Sequence, residues 1–453
     1  MTLSRWQRDE PDWSLWTQFG MKTSTLADHK ASLRCRWHWE LSLPRRLVFA
    51  SVVILVRAAG LYALVTSPLA HDTCREKSSA ALRKDPLGIP RQTDMERLES
   101  LTGNDLTTKW TEFTKGEFKL KPFEDRDIDI AIEVCGVCAS DLHTINGGWG
   151  DAPLPLCVGH EVVGKAVKVG DAVKTIKVGD RVGVGAQIQA DLTCANCKAD
   201  QENYCPNAVD TYGAPYKDGT LSQGGYASHI RAHEYITFKI PENIESAIAA
   251  PMLCAGITVY SPLVRLGAGP GKKVAIVGLG GLGHYAVLWA VALGAEVYVL
   301  SHTPAKKDDA LKMGAKHFIV TNEEGWEKDL NFTFDFILNT ADAMHHFDMK
   351  KYFSTLKVMG RFHTVGFGDH PIPTLMAQDF APNGCYLGAS HIGNRPEMLA
   401  MLDLASKQNI KSWIEEIPIS EKGCGEAVKR VSENDVRFRF VLTKFDDAFG
   451  KRS

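Results

Sequence analysis

Six of the eleven cysteines, Cys135, Cys138, Cys157, Cys194, Cys197 and Cys205, fall within about seventy residues of a 453-residue chain. Such clustering points to metal or redox chemistry and is too local for a disulfide scaffold. The first group reads Cys135-Gly-Val-Cys138-Ala-Ser140-Asp141-Leu-His143, with Gly159-His160-Glu161 soon after and Cys254 much later. Two thiolates and one imidazole leave one position of a tetrahedral zinc open, which is the donor set of a catalytic site. On donor chemistry alone, either Cys135 or Cys138 can serve. Cys157, Cys385 and Cys424 read as small buried hydrophobes. The second group is Asp191, Cys194, Cys197 and Cys205. Three thiolates, with a carboxylate at the next regular interval, suit a closed structural zinc site, although Asp is a harder ligand than thiolate.

A third group is backbone chemistry. Residues 273–277, KVAIV, run into Gly278-Leu-Gly280-Gly281-Leu282-Gly283 and then into an apolar stretch. Strand, glycine hexamer and helix together form a dinucleotide fingerprint. The first glycine permits a tight turn, the second admits a pyrophosphate, and the third lets helix pack on strand. The next strand ends in Ser301-His302-Thr303, with Lys306 close behind. An NAD site places Asp or Glu at that tip to hold the ribose hydroxyls. Here a hydroxyl, an imidazole and a lysine stand there, which favours the 2′-phosphate of NADP.

These groups need elements to position them. Residues 127–133 alternate as Asp-Ile-Asp-Ile-Ala-Ile-Glu, a period-2 strand, and 161–169 and 180–184 are further Val-rich strands. From 274 the rhythm becomes strand then helix: 274–277, 282–293, 296–300, 305–313, 317–320. That is βαβ patterning with a parallel sheet. Net charge is −2, from 52 Lys and Arg against 54 Asp and Glu, so no basic surplus points to nucleic acid. The 44% hydrophobic and 23% charged fractions exclude a disordered chain and a polytopic membrane protein.

The first hundred residues differ from the rest. They hold 11 Arg and 4 Lys, against 10 Arg and 27 Lys afterwards, and half of the ten Trp. Residues 47–70 are apolar and long enough to span a bilayer, with Arg45 and Arg46 ahead of them but Arg57 near the middle. The stretch reads as an extension outside the working enzyme, as a single membrane anchor, or as an organellar targeting segment. Asp9, Glu10 and Asp12 count against the last.

From about residue 105 onward, CGVCASDLH, VGHEVVG, the three-cysteine lobe, GGYASH, LCAGITVYSPL, VGLGGLGH and NDVRFRFVL resemble the zinc-dependent medium-chain alcohol dehydrogenases, in the cinnamyl-alcohol-dehydrogenase-type, NADP-dependent branch. The resemblance implies an α/β fold: a GroES-like β-rich catalytic domain over 105–255, a doubly wound Rossmann domain over 256–390, and a C-terminal return over 391–453, behind an atypical extension over 1–104. It implies that Cys138, His160 and Cys254 hold a catalytic zinc, with Glu161 as a neighbouring carboxylate and Asp141 orienting His160. Ser140 and His143 are implied as a proton relay, Thr258 as facing the nicotinamide, Arg439 as lying near the cofactor phosphates and Trp149 as lining the substrate pocket. The expected cofactors are Zn2+ and NADP(H), and the expected substrate is a primary alcohol or aldehyde. A polyol or secondary-alcohol dehydrogenase and an inactive NADP-binding protein are the alternatives. A cytoplasmic homodimer is expected, with membrane association only through 47–70.

Two features depart from the family. Asp191 stands where its first lobe ligand is usually Cys, and 95–110 match the family's opening strand poorly. The β domain is therefore expected to lack its first strand and to expose an edge.

Overall fold

The computed structural model describes residues 97–103 and 109–452. The first hundred residues, apart from 97–100, and with them the stretch 47–70, lie outside the described residues. Among the described residues no single helix is long and apolar enough to cross a membrane.

The chain opens with two strands, β1 (Arg97–Gly103) and β2 (Phe113–Lys119), paired antiparallel from Arg97↔Lys119 to Gly103↔Phe113. This corrects the expectation of a missing first strand. The pairing is carried by backbone hydrogen bonds, which need no apolar alternation in residues 97–103, and the Lys115–Glu99 ion pair at 3.0 Å closes across it.

The main β sheet follows. It contains β3 (Asp127–Val137), β4 (Glu161–Val169) and β5 (Arg181–Val184). After the short pair β6 (Gln187–Gln189) and β7 (Val209–Asp210) it continues with β8 (His229–His233) and β9 (Thr237–Lys239). The strand over 161–169 falls where the Val-rich run predicts it. The expected half-polar strand at 127–133 proves to be the first part of β3, which is buried on both faces. Its Asp127 and Asp129 are fully buried because Lys121 and Arg231 cover them, Arg231 meeting Asp129 at 2.7 and 3.0 Å through two nitrogens. Burying a charge on a central strand requires such a partner.

Six parallel strands build the second sheet: β10 (Lys273–Val277), β11 (Glu296–Ser301), β12 (His317–Val320), β13 (Phe334–Asn339), β14 (Leu356–Thr364) and β15 (Tyr386–Ala389). Their order, β12-β11-β10-β13-β14-β15, reverses direction between β10 and β13. That is the doubly wound arrangement, with its ligand crevice at the switch point. The chain then returns to the first sheet with β16 (Ile414–Pro418) and β17 (Arg439–Thr443), β17 lying beside the last residues of β3. The helix Ala255–Arg265, buried along most of its length, runs out of the metal-site region and packs on the glycine-loop helix Gly283–Ala292, with Trp289 in their shared core.

Candidate active site

The end of β3 and the start of β4 place the first donors. Gly136 pairs with Glu161, so Cys138 and His160 leave adjacent strand ends. The sulfur of Cys254 arrives at the break between the 3-10 turn Ala250–Leu253 and the helix Ala255–Arg265. Donor atoms of Cys138, His160, Glu161 and Cys254 lie within 4.8 Å of one another, all buried. The choice between Cys135 and Cys138 falls to Cys138. The Cys135 sulfur turns into the core beneath Gly159 and Gly225, and burial pushes its thiol far up. Glycine at 136 is required by the site itself, since a Cβ there would collide with the Glu161 carboxylate.

Two observations show that this donor set fits a cation. His160 Nε2 and Glu161 Oε2 are buried with no hydrogen-bond partner among the described residues, and buried polar atoms are normally satisfied. In addition, a hydrogen bond from Cys254 and the Arg439 charge outweigh burial and hold the Cys138 thiol well below its usual range. The same bond and burial push Cys254 up. Burial lifts Glu161 to about 7 even though Arg439 pairs with it. Burial pulls His160 down, but Asp141, Cys138 and Glu161 overcome it and raise the imidazole to about 9. A divalent cation is the group that relieves such a crowd of anions.

Asp141 lies 3.9 Å from His160 Nδ1, an ion-pair separation longer than a hydrogen bond. Its carboxylate accepts instead from the amides of Cys138 (2.9 Å) and Gly159 (3.1 Å) and from the Tyr226 hydroxyl (3.2 Å). Asp141 thus ties together the two backbone segments that carry Cys138 and His160. The His160 ring is stacked on Tyr212 at 5.4 Å. Tyr212 carried no sequence signal, whereas Tyr226 lies inside GGYASH. Ser140 Oγ is 3.6 Å from the Cys138 sulfur, and His143 is buried on the same helix, Ala139–Ile145. Trp149 is half exposed and stacks on His143 at 4.8 Å.

The second donor group also converges. Asp191, Cys194, Cys197 and Cys205 offer donor atoms within 4.8 Å of one another. Asp191 already accepts from the amides of Thr193 and Cys194 and from Asn207, and these bonds hold its carboxyl below the usual range. They fix its direction and leave lone pairs for a cation, as four-site carboxylate acceptors allow. The lobe is anchored to the rest of the chain: Asn394 donates to the Asp200 carbonyl and Arg265 to Gln201.

In the glycine loop, Gly278 has φ +85°, a left-handed value that favours glycine, and a Cβ on Gly283 would collide with the Gly278 carbonyl. Nothing stands within 4 Å of the Cβ position of Gly280, so that face is open to a ligand, and Leu282 caps the helix. A Cβ on Gly281 would meet the Arg439 guanidinium at 2.9 Å. Arg439 therefore spans the distance from the glycine loop to Glu161. Ser301 is buried at the end of β11 and His302 exposed beside it, while the Lys306 amine returns 2.9 Å to the Leu279 carbonyl on the loop. Thr258 is buried one turn beyond Cys254, its amide donating to the Cys254 carbonyl at 2.9 Å.

The comparisons with known proteins agree with this geometry. Residues 124–242 match the alcohol dehydrogenase GroES-like domain family, and 281–407 match the zinc-binding dehydrogenase family. NADP-dependent alcohol dehydrogenase 6 of Saccharomyces cerevisiae is 46% identical over 342 residues, which is 75% of this chain and 95% of the relative. A cinnamyl alcohol dehydrogenase structure from Sorghum bicolor superposes with a TM-score of 0.74 at 33% identity, over 79% of this chain and 100% of that one. The Helicobacter pylori CAD complexed with NADP(H) gives 0.71 at 34%, over 77% and 98%. The chain belongs to the zinc-dependent medium-chain alcohol dehydrogenases. Within that family it falls in the cinnamyl-alcohol-dehydrogenase-type, NADP-dependent branch.

Proposed function

We propose that this chain transfers hydride reversibly between NADP(H) and a primary alcohol or aldehyde, aromatic or aliphatic. The observation that carries the reading is Arg439, whose guanidinium joins Glu161 in the Cys138–His160–Cys254 group to Gly281 in the nucleotide loop. One residue therefore connects a metal site to a dinucleotide site. Bound there, zinc supplies Lewis-acid polarisation of the substrate oxygen, and the nicotinamide takes or returns the hydride.

The chain's own residues do the rest. Cys138, His160 and Cys254 hold the catalytic zinc, and Glu161 stays beside it on Arg439. Ser140 Oγ takes the proton of the substrate hydroxyl, and His143 carries it to solvent. Thr258 bears on the nicotinamide. The open face at Gly280 admits the pyrophosphate, while Ser301, His302 and Lys306 take the 2′-phosphate. Asp191, Cys194, Cys197 and Cys205 hold a structural zinc. Ser301→Asp tests the cofactor assignment by placing a carboxylate against that phosphate. The ratio of kcat/KM for NADPH over NADH is expected to fall at least about tenfold. An unchanged ratio would count against the site, and polyols oxidised, or the matching sugars reduced, faster than aromatic alcohols and aldehydes would replace the substrate class.

The homodimer reading has its own support. β15 ends the second sheet with one edge unpaired among the described residues. Val358, Met359, Ile372, Met376 and Tyr386 in the same part of the chain are each at least half exposed. An unpaired edge with apolar side chains nearby suits a second copy of the chain. Sedimentation of the intact protein as a monomer would remove this reading. The buried free thiols Cys135, Cys157, Cys385 and Cys424 fit a reducing, cytoplasmic setting.

A further inference from the structure

Asp369 lies in the loop leaving β14, in the nucleotide-binding half, and no metal or glycine motif points to it. Its Oδ1 stands 2.8 Å from Nδ1 of His143, which belongs to the helix after Cys138. Glycines make that approach possible. A Cβ on Gly148 would stand 2.8 Å from the Asp369 carboxylate and 2.9 Å from His143 Nδ1. The carboxylate thus occupies the volume that a side chain at 148 would fill. A Cβ on Gly368 would collide with the Asp342 carbonyl, so the loop lies flat on the segment after β13, and this fixes where Asp369 emerges. His143 is buried, and Trp149 covers one face of its ring. Nδ1 is not aligned for a linear hydrogen bond, and it has no other partner among the described residues. Among the described residues Asp369 is the carboxylate paired with it, and catalytic hydrogen bonds often tighten only in the substrate complex.

We propose that Asp369 is the positioning residue of the proton relay, reaching His143 from the nucleotide-binding half of the molecule. It keeps the proton on Nδ1, so that Nε2 is the nitrogen that exchanges protons. In alcohol oxidation the substrate hydroxyl loses its proton to Ser140 Oγ, whose own proton passes on to His143 Nε2. The imidazolium so formed is paired with Asp369, and Nε2 then releases the proton to water. The relay is complete only where the two halves meet, and this ties proton transfer to the seating of the nucleotide domain. The proposal rests on the relay reading of His143.

The test uses the full-length, zinc-loaded enzyme. Asp369→Asn keeps the shape of a partly exposed side chain and removes the charge. Its kcat for alcohol oxidation is expected to fall about tenfold or more. Zinc content and KM for NADP should be unchanged, and the solvent deuterium isotope effect on kcat should rise as proton transfer becomes limiting. Combining Gly148→Asp with Asp369→Gly returns a carboxylate to the same spot from the other side and should recover most of the lost rate. An unchanged kcat in Asp369→Asn overturns the proposal. So does a raised KM for NADP alone, which would mark a loop-docking role, or a double variant that recovers nothing. His143→Gln run alongside separates the two readings. If it also leaves kcat unchanged, the relay itself fails; if it lowers kcat and Asp369→Asn does not, only the role of Asp369 fails.

Discussion

Replacing Cys254 by Ser is expected to lower kcat by about a thousandfold or more while leaving NADPH binding close to normal. The sulfur is one of two thiols in a buried set with His160 and Glu161, and no third thiol is within the group. A serine hydroxyl at that position is a poor zinc ligand, because zinc sites draw on thiolate, imidazole and carboxylate. Glu161 is the only carboxylate among the grouped donors, and its Oε1 is committed to Arg439 and to the Ala255 amide. Losing the Lewis acid forfeits several kcal/mol of transition-state stabilisation, and about 4 kcal/mol corresponds to a thousandfold. The glycine loop after β10 makes no use of Cys254, so quenching of protein fluorescence by NADPH should titrate as in the parent. Full activity in this variant would refute zinc catalysis at the site. Lost NADPH binding would indicate a folding defect in place of a metal defect.

Arg439→Leu is expected to have the largest effect on stability. The guanidinium is fully buried, touches Glu161 directly, and faces the Cys138 and Cys254 sulfurs through its field. Removing one member of a buried ion pair leaves an uncompensated charge, at a cost of about 3–5 kcal/mol. Glu161 can escape part of this by taking up a proton. Burial has already raised it to about 7, above the ordinary 4.5, and losing Arg439 raises it further. A carboxyl raised in the folded state costs nothing below its unfolded value and destabilises progressively as pH rises toward its folded value. In the metal-free chain, the deficit in urea midpoint should therefore stay small up to about pH 7, where Glu161 is protonated in both folded states, and widen above it. NADPH affinity should fall as well, because the same side chain lies at Gly281. A variant with parental stability at pH 8 would contradict the paired arrangement.

The sites that depend on local geometry were readable in the sequence. The glycine hexamer is continuous in sequence between β10 and its helix, so its positive φ and close approach follow from residue types alone. The spacing of Cys194, Cys197 and Cys205 likewise places three sulfurs on one short lobe, and Asp191 joins them. What escaped depends on the third dimension. Cys135 lies near the end of β3 and Cys138 just beyond it, and only the way the strand sits over Gly159 and Gly225 turns the first sulfur into the core. The alternation at 127–133 shows a strand but not the burial of Asp127 and Asp129, because their partners, Lys121 and Arg231, come from other segments. β1 was illegible because backbone pairing with β2 defines it. Tyr212 and Asp369 reach His160 and His143 from loops remote in sequence, and no spacing rule connects them.

The most direct measurement is NADPH-linked reduction of an aromatic aldehyde by the full-length protein, followed together with bound metal. As purified, the chain should carry close to two zinc ions, one for each donor group. Stripping the metal should abolish turnover, and adding zinc back should restore it, with NADPH preferred over NADH throughout. Turnover that survives complete removal of zinc would contradict the account.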